Sequence, residues 1–381
     1  MNKDVKNTGS RAELAVATGT RKSVGKIIVV VLLAIVAVAS LVLAIFNSQI
    51  NNFYKTITAG VEFDPDNVAV VVNEDSVDKI TSTNKIYTEI ATNDAFKTDA
   101  EKAKDNYIAN SGKAQKSEDI YTYVIYGLDA LDADKDAQAD AITLATINKK
   151  TKEIKFVSID PESLVYIPDA EVVGLLKHAY NFGGANLMVK TISQNFRVYI
   201  NGFIEMNLES AKTIVQNLGI ISVEMTAEEL ASFNTAVDSY NKRYPTSPVT
   251  KIDSTEAGTY DLDQNQAMAY IRGVNSERQN QIFTVMKASA KKAMANGYDD
   301  FKKFVEETVG NGISAGISEE DFNALMQVAM FSMGDLLENE MGTVVFGSSD
   351  EAAKENKKVG NEAYSVYNYE VAVDELNKAI H

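Results

Sequence analysis

Asp129, Asp132, Asp134, Asp136 and Asp140 stand close together, and this stretch is where the sequence most readily offers chemistry. Asp129 and Asp140 border β-rich runs, a position where aspartate is commonly a turn former and, less often, a metal or proton site. The alternation Asp132-x-Asp134-x-Asp136 invites a calcium-loop reading. A loop of the EF-hand kind starting there needs Gly at 137 and Glu at 143, and the chain has Ala137 and Thr143, so that form of site is excluded. Arg272 and Arg278 are either contacts for an anion or surface ion pairs of an acidic chain. His178 reads as a packed residue, and His381 is the chain end. No P-loop, Gly-x-Ser-x-Gly or clustered His motif occurs, which removes nucleotide hydrolysis, α/β-hydrolase chemistry and zinc as leading options.

The hydrophobic pattern predicts the scaffold. Tyr121 to Tyr126, Ala141 to Ile147 and Ile154 to Ile159 read as consecutive strands, the last two joined by a polar turn of hairpin length. Helical spacing runs through Val172, Val173, Leu176 and Ala179, and again through Leu187, Val189, Ile192 and Phe196, with Gly183-Gly184 as the turn between. Val198 to Ile204 and Ile220 to Met225 read as strands, and Ser210 to Leu218 as a helix stopped by Gly219. Thr226-Ala-Glu-Glu229 is a capping-box sequence whose helix must end before Pro245. Helices follow at Gln264 to Ile271 and Glu277 to Met294, then an added helical pair within Asp299 to Glu340. A strand at Thr343 to Phe346 and a closing helix near Val371 to Ile380 complete the chain. This alternation predicts an α/β fold, a three-layer α/β/α sandwich.

Ile27 to Phe46 contains no charge, Pro or Gly. At about 1.5 Å per residue it covers a hydrocarbon core of roughly 30 Å, and it is too long for the apolar core of a cleaved signal peptide, about 7–15 residues. It reads as a single transmembrane helix. The preceding 26 residues carry six basic and two acidic side chains, so the amino terminus is expected in the cytoplasm and the rest outside the cell. The expected order is a cytoplasmic tail (1–26), the membrane span (27–46), a membrane-proximal extracellular segment with an Ala/Lys-rich solvated spacer (47–118), and a main domain (119–381). Helical insertions are expected near 226–243 and 299–340. With −16 on the chain and +4 on its tail, the outer part carries about −20, which repels nucleic acid. Without cysteine, that part must be stabilised by core burial rather than disulfides.

Several blocks recur in a familiar order: Gly127-Leu128-Asp129-Ala130-Leu131, Gln138-Ala139-Asp140-Ala141, Ser158-Ile159-Asp160-Pro161-Glu162, and Lys177-His178-Ala179-Tyr180 with Gly183-Gly184. Leu262 to Arg272 and Asn275-Ser-Glu-Arg278-Gln279 follow. From about Tyr121 to Met294 this series resembles the LytR-CpsA-Psr (LCP) family of cell-wall glycopolymer ligases. The family pattern is Gly-x-Asp-x-Arg, Arg-Ser-Asp-Thr, Ser-Ile-Pro-Arg-Asp and, late in the chain, Arg-x-x-Arg-Gln. Asp129 and Asp140 match it; Leu131, Pro161 and Asn275 stand where the family has arginine, and Glu162 where it has aspartate.

The resemblance implies an LCP-type sandwich and transfer of a glycopolymer from a polyprenyl-diphosphate carrier to peptidoglycan, with Mg²⁺. Such chemistry needs carboxylates for the metal or a proton and cations for the diphosphate. By resemblance Asp129 and Asp140 would be catalytic and hold Mg²⁺, Arg272 and Arg278 would be catalytic and bind diphosphate, and Glu162 would touch substrate. Lys242, Arg243 and Lys251 are candidates to replace lost charge. The alternative is a non-catalytic domain of the same fold that binds a wall polymer, lipid or partner protein, because several family arginines are replaced.

Overall fold

The structure, a computed structural model, describes residues 54–128, 137–207, 221–273, 313–323 and 343–380, apart from positions 56, 91, 152, 244 and 247. Three helices come first: α1 (Glu74–Thr83), α2 (Lys85–Thr88) and α3 (Asp94–Asn110). Each begins behind an asparagine, Asn73, Asn84 or Asn93, whose side-chain oxygen accepts an amide hydrogen of the first turn. That satisfies a donor which a helix start leaves open. Along α3, Phe96, Ala100 and Ala103 recur at helical spacing and are buried, as is Asp99. The solvated spacer expected here is corrected: the alanines form an apolar stripe, and the charged residues between them hid it.

Strand β1 (Ile120–Leu128) is buried from Tyr121 to Leu128, as a strand covered on both faces must be. It pairs antiparallel with β2 (Ala139–Asn148), which turns back into β3 (Glu153–Ile159). Asn148 closes that predicted hairpin, its Oδ1 accepting the amides of Lys150 and Thr151 at 2.9 and 3.1 Å. Next comes a small hairpin of β4 (Leu164–Ile167) and β5 (Val172–Leu175). Val172 and Val173 therefore lie in a strand rather than the expected helix. Their β-branched side chains favour it, and Gly174 allows a close approach: a Cβ there would lie 2.1 Å from the Tyr87 hydroxyl. Helix α4 (His178–Phe196) breaks at Gly183 and Gly184, the turn the sequence predicts.

Strand β6 (Gly202–Met206) runs parallel to β1. A separate hairpin, β7 (Ile221–Met225) and β8 (Gly258–Leu262), is joined through α5 (Ala227–Arg243) and followed by α6 (Gln264–Gly273). The capping box of α5 forms as read: the Thr226 amide donates to Glu229 Oε2 at 2.8 Å and the Glu229 amide to Thr226 Oγ1 at 3.2 Å. Strand β9 (Ile313–Ile317) pairs antiparallel with β6 inside the stretch expected to be a helical pair. Five residues are too few for a periodic signal, and Gly316 lies so near Phe203 that a Cβ would sit 2.2 Å from the ring. The chain ends in β10 (Thr343–Val345), the hairpin β11 (Glu355–Val359) and β12 (Glu362–Val366), and α7 (Tyr369–Ile380).

The main sheet is mixed, in the order β10-β3-β2-β1-β6-β9. Val124, Tyr126 and Leu128 share one core with residues of α1 to α4 and α7, while Tyr123, Ile125 and Phe156 are buried from the opposite side. The fold is thus mixed α/β. The expected membrane span and the helices expected at 210–218 and 277–294 lie outside the described residues. Among those described, no helix is long and apolar enough to cross a membrane.

Candidate functional site

The sheet register brings the ends of several strands together. Gly127 of β1 pairs with Ala141 of β2 and Leu128 with Ala139, so Asp140 is the extra residue of an irregularity at the last rung. Asp129 follows Leu128 directly in sequence. Ile159 of β3 pairs with Ile142, which sets Asp160 and Glu162 beyond the same end of the sheet, and Met206 of β6 pairs with Gly127. The backbone therefore gathers the positions of Asp140 and Glu162 at one end. Asp129 and Arg278 lie outside the described residues, as do the side chains of Asp140 and Arg272.

Around Glu162 the charges are balanced locally. Asp160 Oδ2 accepts hydrogen bonds from Lys354 Nζ at 2.5 Å and Ser365 Oγ at 2.9 Å, and its Oδ1 accepts the Glu162 amide at 2.9 Å. Burial pushes the Asp160 carboxyl up, but the Lys354 charge and these hydrogen bonds outweigh it and hold the group below its ordinary value. Lys177 Nζ stands 3.9 Å from Glu162 Oε1, and its amide donates to the Pro161 carbonyl at 3.0 Å, tying the first turn of α4 to the loop after β3. Lys354 and Lys177 thus bring cations to the stretch where Pro161 stands. Lys177 belongs to a block already singled out; Lys354 was missed, being 194 positions from Asp160 with nothing in its surroundings to mark it. Of the cations proposed to restore charge, Lys251 is engaged elsewhere, 2.7 Å from Asp238 of α5.

A second polar group joins β1 and β6. Tyr126 Oη donates to Glu205 Oε2 at 2.8 Å, and the Tyr180 ring of α4 lies 5.7 Å from that of Tyr126. Burial raises the Glu205 carboxyl, and the two phenols offset only part of that. His178 is buried, with Nδ1 2.8 Å from the Tyr87 hydroxyl. Burial, then the Lys177 charge, drives it down to about 3, so it is neutral at physiological pH and packs as the sequence suggests.

Arg272 sits in the last turn of α6, whose Ala267, Met268, Ala269 and Tyr270 are buried, with Tyr270 beside Phe233 of α5. No group of three His, Cys, Asp or Glu that could hold a metal occurs among the described residues. Mg²⁺ asks for less, one or two carboxylates plus phosphate oxygens and water, and aspartates such as Asp129 and Asp140 offer oxygen donors of the hard kind it takes. A cleft of about 770 Å³ opens at the other end of β1, lined by Lys113, Lys116, Arg197 and Tyr199 among others.

Comparison with known proteins gives a consistent set of likenesses. The LytR_cpsA_psr family matches residues 49–310. The polyisoprenyl-teichoic acid–peptidoglycan teichoic acid transferase TagU of Bacillus licheniformis is 34% identical over 108 residues, 28% of this chain and 35% of that protein. The corresponding TagT of Bacillus subtilis is 24% identical over 215 residues, 53% of this chain and 62% of that protein. The chain therefore spans about a third of the first relative and less than two thirds of the second. Among solved structures, TagT bound to LI-WTA has a TM-score of 0.46 at 21% identity, over 71% of this chain and 94% of that one. YwtF (TagT) with bound octaprenyl pyrophosphate lipid has a TM-score of 0.44 at 20% identity, over 71% and 96%.

Proposed function

The chain belongs to the LytR-CpsA-Psr family, and from that premise we propose that it transfers a glycopolymer from a polyprenyl-diphosphate carrier to peptidoglycan at the outer face of the cell membrane. The observation that carries this reading is the family match, joined to a register that gathers Asp140, Glu162 and the end of β1 at one end of the sheet. The relatives' printed names, teichoic acid transferases, support the same class of substrate. In this reading residues 27–46 anchor the chain, with its amino terminus inside.

Forming a phosphodiester on an acceptor hydroxyl breaks the phosphoanhydride bond of the carrier and releases polyprenyl phosphate, so negative charge must be neutralised at the diphosphate and a proton removed from the hydroxyl. Asp129 and Asp140 would hold Mg²⁺, which when bound supplies positive charge to the phosphate oxygens. Arg272 and Arg278 would meet the diphosphate. Glu162, beside Lys177, would border the substrate. Pro161 at a family arginine position, with Lys354 committed to Asp160, favours a second reading, a domain that binds such a polymer without transferring it.

The test uses the full chain in detergent with polyprenyl-diphosphate-linked glycopolymer, peptidoglycan and Mg²⁺. Transfer by the wild type, reduced on the order of 10²-fold or more by Asp140→Ala, is the expected result. Mg²⁺-dependent binding of the carrier without transfer would point to the second reading. Neither binding nor transfer would overturn both.

A further inference from the structure

The cleft at the far end of β1 has a charge unlike that of the chain around it. The protein carries a net −16, yet the described residues that line this cleft include Lys113, Lys116 and Arg197 and no aspartate or glutamate. Its walls come from the linker between α3 and β1, the turn after α4 and the end of α7, and its volume of about 770 Å³ is that of a ligand site. Glu118 and Asp119 belong to the same linker but do not line the cleft, and Asp119 is turned to Lys150 at 2.5 Å.

The three cations keep donors to spare. Lys113 is exposed, and no described carboxylate lies within ion-pair distance of it. Lys116 meets Asp66 at 2.8 Å and Arg197 meets Asp374 at 2.7 Å, one contact each, which leaves further N–H groups on the ammonium and the guanidinium. Both pairs are open to solvent and hold their cations weakly. Groups suited to hydroxyls stand beside them. Gln115 is exposed, and Asn377 donates to the Phe196 and Val373 carbonyls, leaving its Oδ1 as an acceptor. Tyr199 adds a ring, with Lys116 Nζ 5.4 Å from its centre. A ligand that matches this wall bears spaced negative charges and hydroxyls and is narrow enough to enter a concavity, which a flat membrane surface does not. We propose that the cleft binds a polymer of sugar or polyol units linked by phosphodiesters. β1 spans nine residues, so at about 3.3 Å per residue the cleft lies roughly 30 Å from the end where Asp140 and Glu162 gather, and an extended chain reaches both. That the chain held here is the one transferred rests on the transfer reading above; the binding does not.

The test titrates the full chain in detergent with lipid-free poly(glycerol phosphate), read by calorimetry at low and high salt. The wild type is expected to bind it, more weakly as salt rises because binding releases the counterions of the polymer, and to bind neutral dextran about 10-fold more weakly or not at all. Lys113→Gln combined with Arg197→Gln is expected to weaken polymer binding about 10-fold and to flatten its salt dependence, since fewer phosphates are then neutralised. Lys113→Glu, at an exposed position where folding is not at stake, is expected to weaken it about 5-fold by repulsion. Lys85→Gln, an exposed lysine of α2 outside the cleft, should stay within about 2-fold of the wild type. Undiminished binding by both cleft variants, or equal binding of dextran, overturns the proposal. Binding of short-chain phosphatidylglycerol but not of the polymer would make the cleft a lipid-headgroup site and overturns it too. A wild type that binds the polymer through these cations and transfers nothing upholds the cleft and defeats the transfer reading alone.

Discussion

Lys354 Nζ lies 2.5 Å from Asp160 Oδ2 at the sheet end, and both side chains are largely buried, 12% and 22% exposed. Lys354 belongs to the loop before β11, so this contact fastens the carboxy-terminal hairpin to the strand end where the candidate site lies. Removing one partner leaves the other charged and poorly solvated. Lys354→Met is expected to destabilise the chain by about 2–4 kcal/mol at pH 7, read by denaturant unfolding. Because the Asp160 carboxyl is held below its unfolded value, the pair's contribution is present above the ordinary carboxylate range and is lost as pH falls through the depressed value. The gap between wild type and variant should therefore shrink on acidification. A gap that stays constant from pH 7 to pH 3 would show that the charge pair is not its source.

Glu205 gives the opposite pH dependence. Its carboxyl is raised by burial, so the folded state favours the protonated form. That contribution is complete below about pH 4, the unfolded value, and is lost as pH rises through the folded value. Glu205→Gln removes the ionisation, and the variant is expected to be more stable than the wild type at pH 8 and equal to it near pH 4. Equal stability of the two at both pH values would count against a raised carboxyl.

Much of this arrangement can be read from the residues, and the exceptions have physical causes. The β1–β2–β3 meander declares itself through aromatic and β-branched runs around the Asn148 turn, and the α5 cap through Thr226 and Glu229. These are local signals, decided within a few residues. β5, β9 and the β11–β12 hairpin are only four or five residues long, too short to establish a period, and β9 holds its place through Gly316 against Phe203, a partner over a hundred positions away. The site divides the same way. Asp140 is found by its position beside a strand and Glu162 by the family resemblance of its block, whereas Lys354 and Glu205 matter through long-range partners that no spacing announces.

Gly174 is a sensitive point for the packing behind α4. With a Cβ built there the nearest atom is the Tyr87 hydroxyl, whose own partner is His178 Nδ1. Gly174→Ala is expected to displace the Tyr87 ring and cost about 1–3 kcal/mol through overpacking. Loss of the Tyr87 contact would also open His178 to water, so its imidazole, held at about 3 by burial, should titrate closer to the ordinary value of about 6.5. Histidine NMR titration checks this, and an unmoved His178 resonance in a destabilised variant would sever the two effects.

The helices before β1 make the most demanding prediction, because the sequence suggests a boundary near residue 119 that would leave them out. Asp99 of α3 is 2% exposed and bonded to Lys357 Nζ at 2.9 Å and Tyr364 Oη at 3.1 Å, both on the carboxy-terminal hairpin. Phe96 packs on Tyr364 at 5.0 Å, and Asn106 donates to the Asn195 carbonyl at the end of α4. A chain beginning at Ser111 would expose this surface, take Asp99 away from Tyr364 and leave Lys357 with Glu355 at 3.2 Å. It is expected to be insoluble or to lack a cooperative unfolding transition, whereas a chain beginning at Asn52 should unfold cooperatively. The point variant Asp99→Asn, which keeps shape and loses charge, is expected to cost about 1–3 kcal/mol at pH 7. If the chain beginning at Ser111 unfolds as sharply as the longer one, α1 to α3 are not integral to the core.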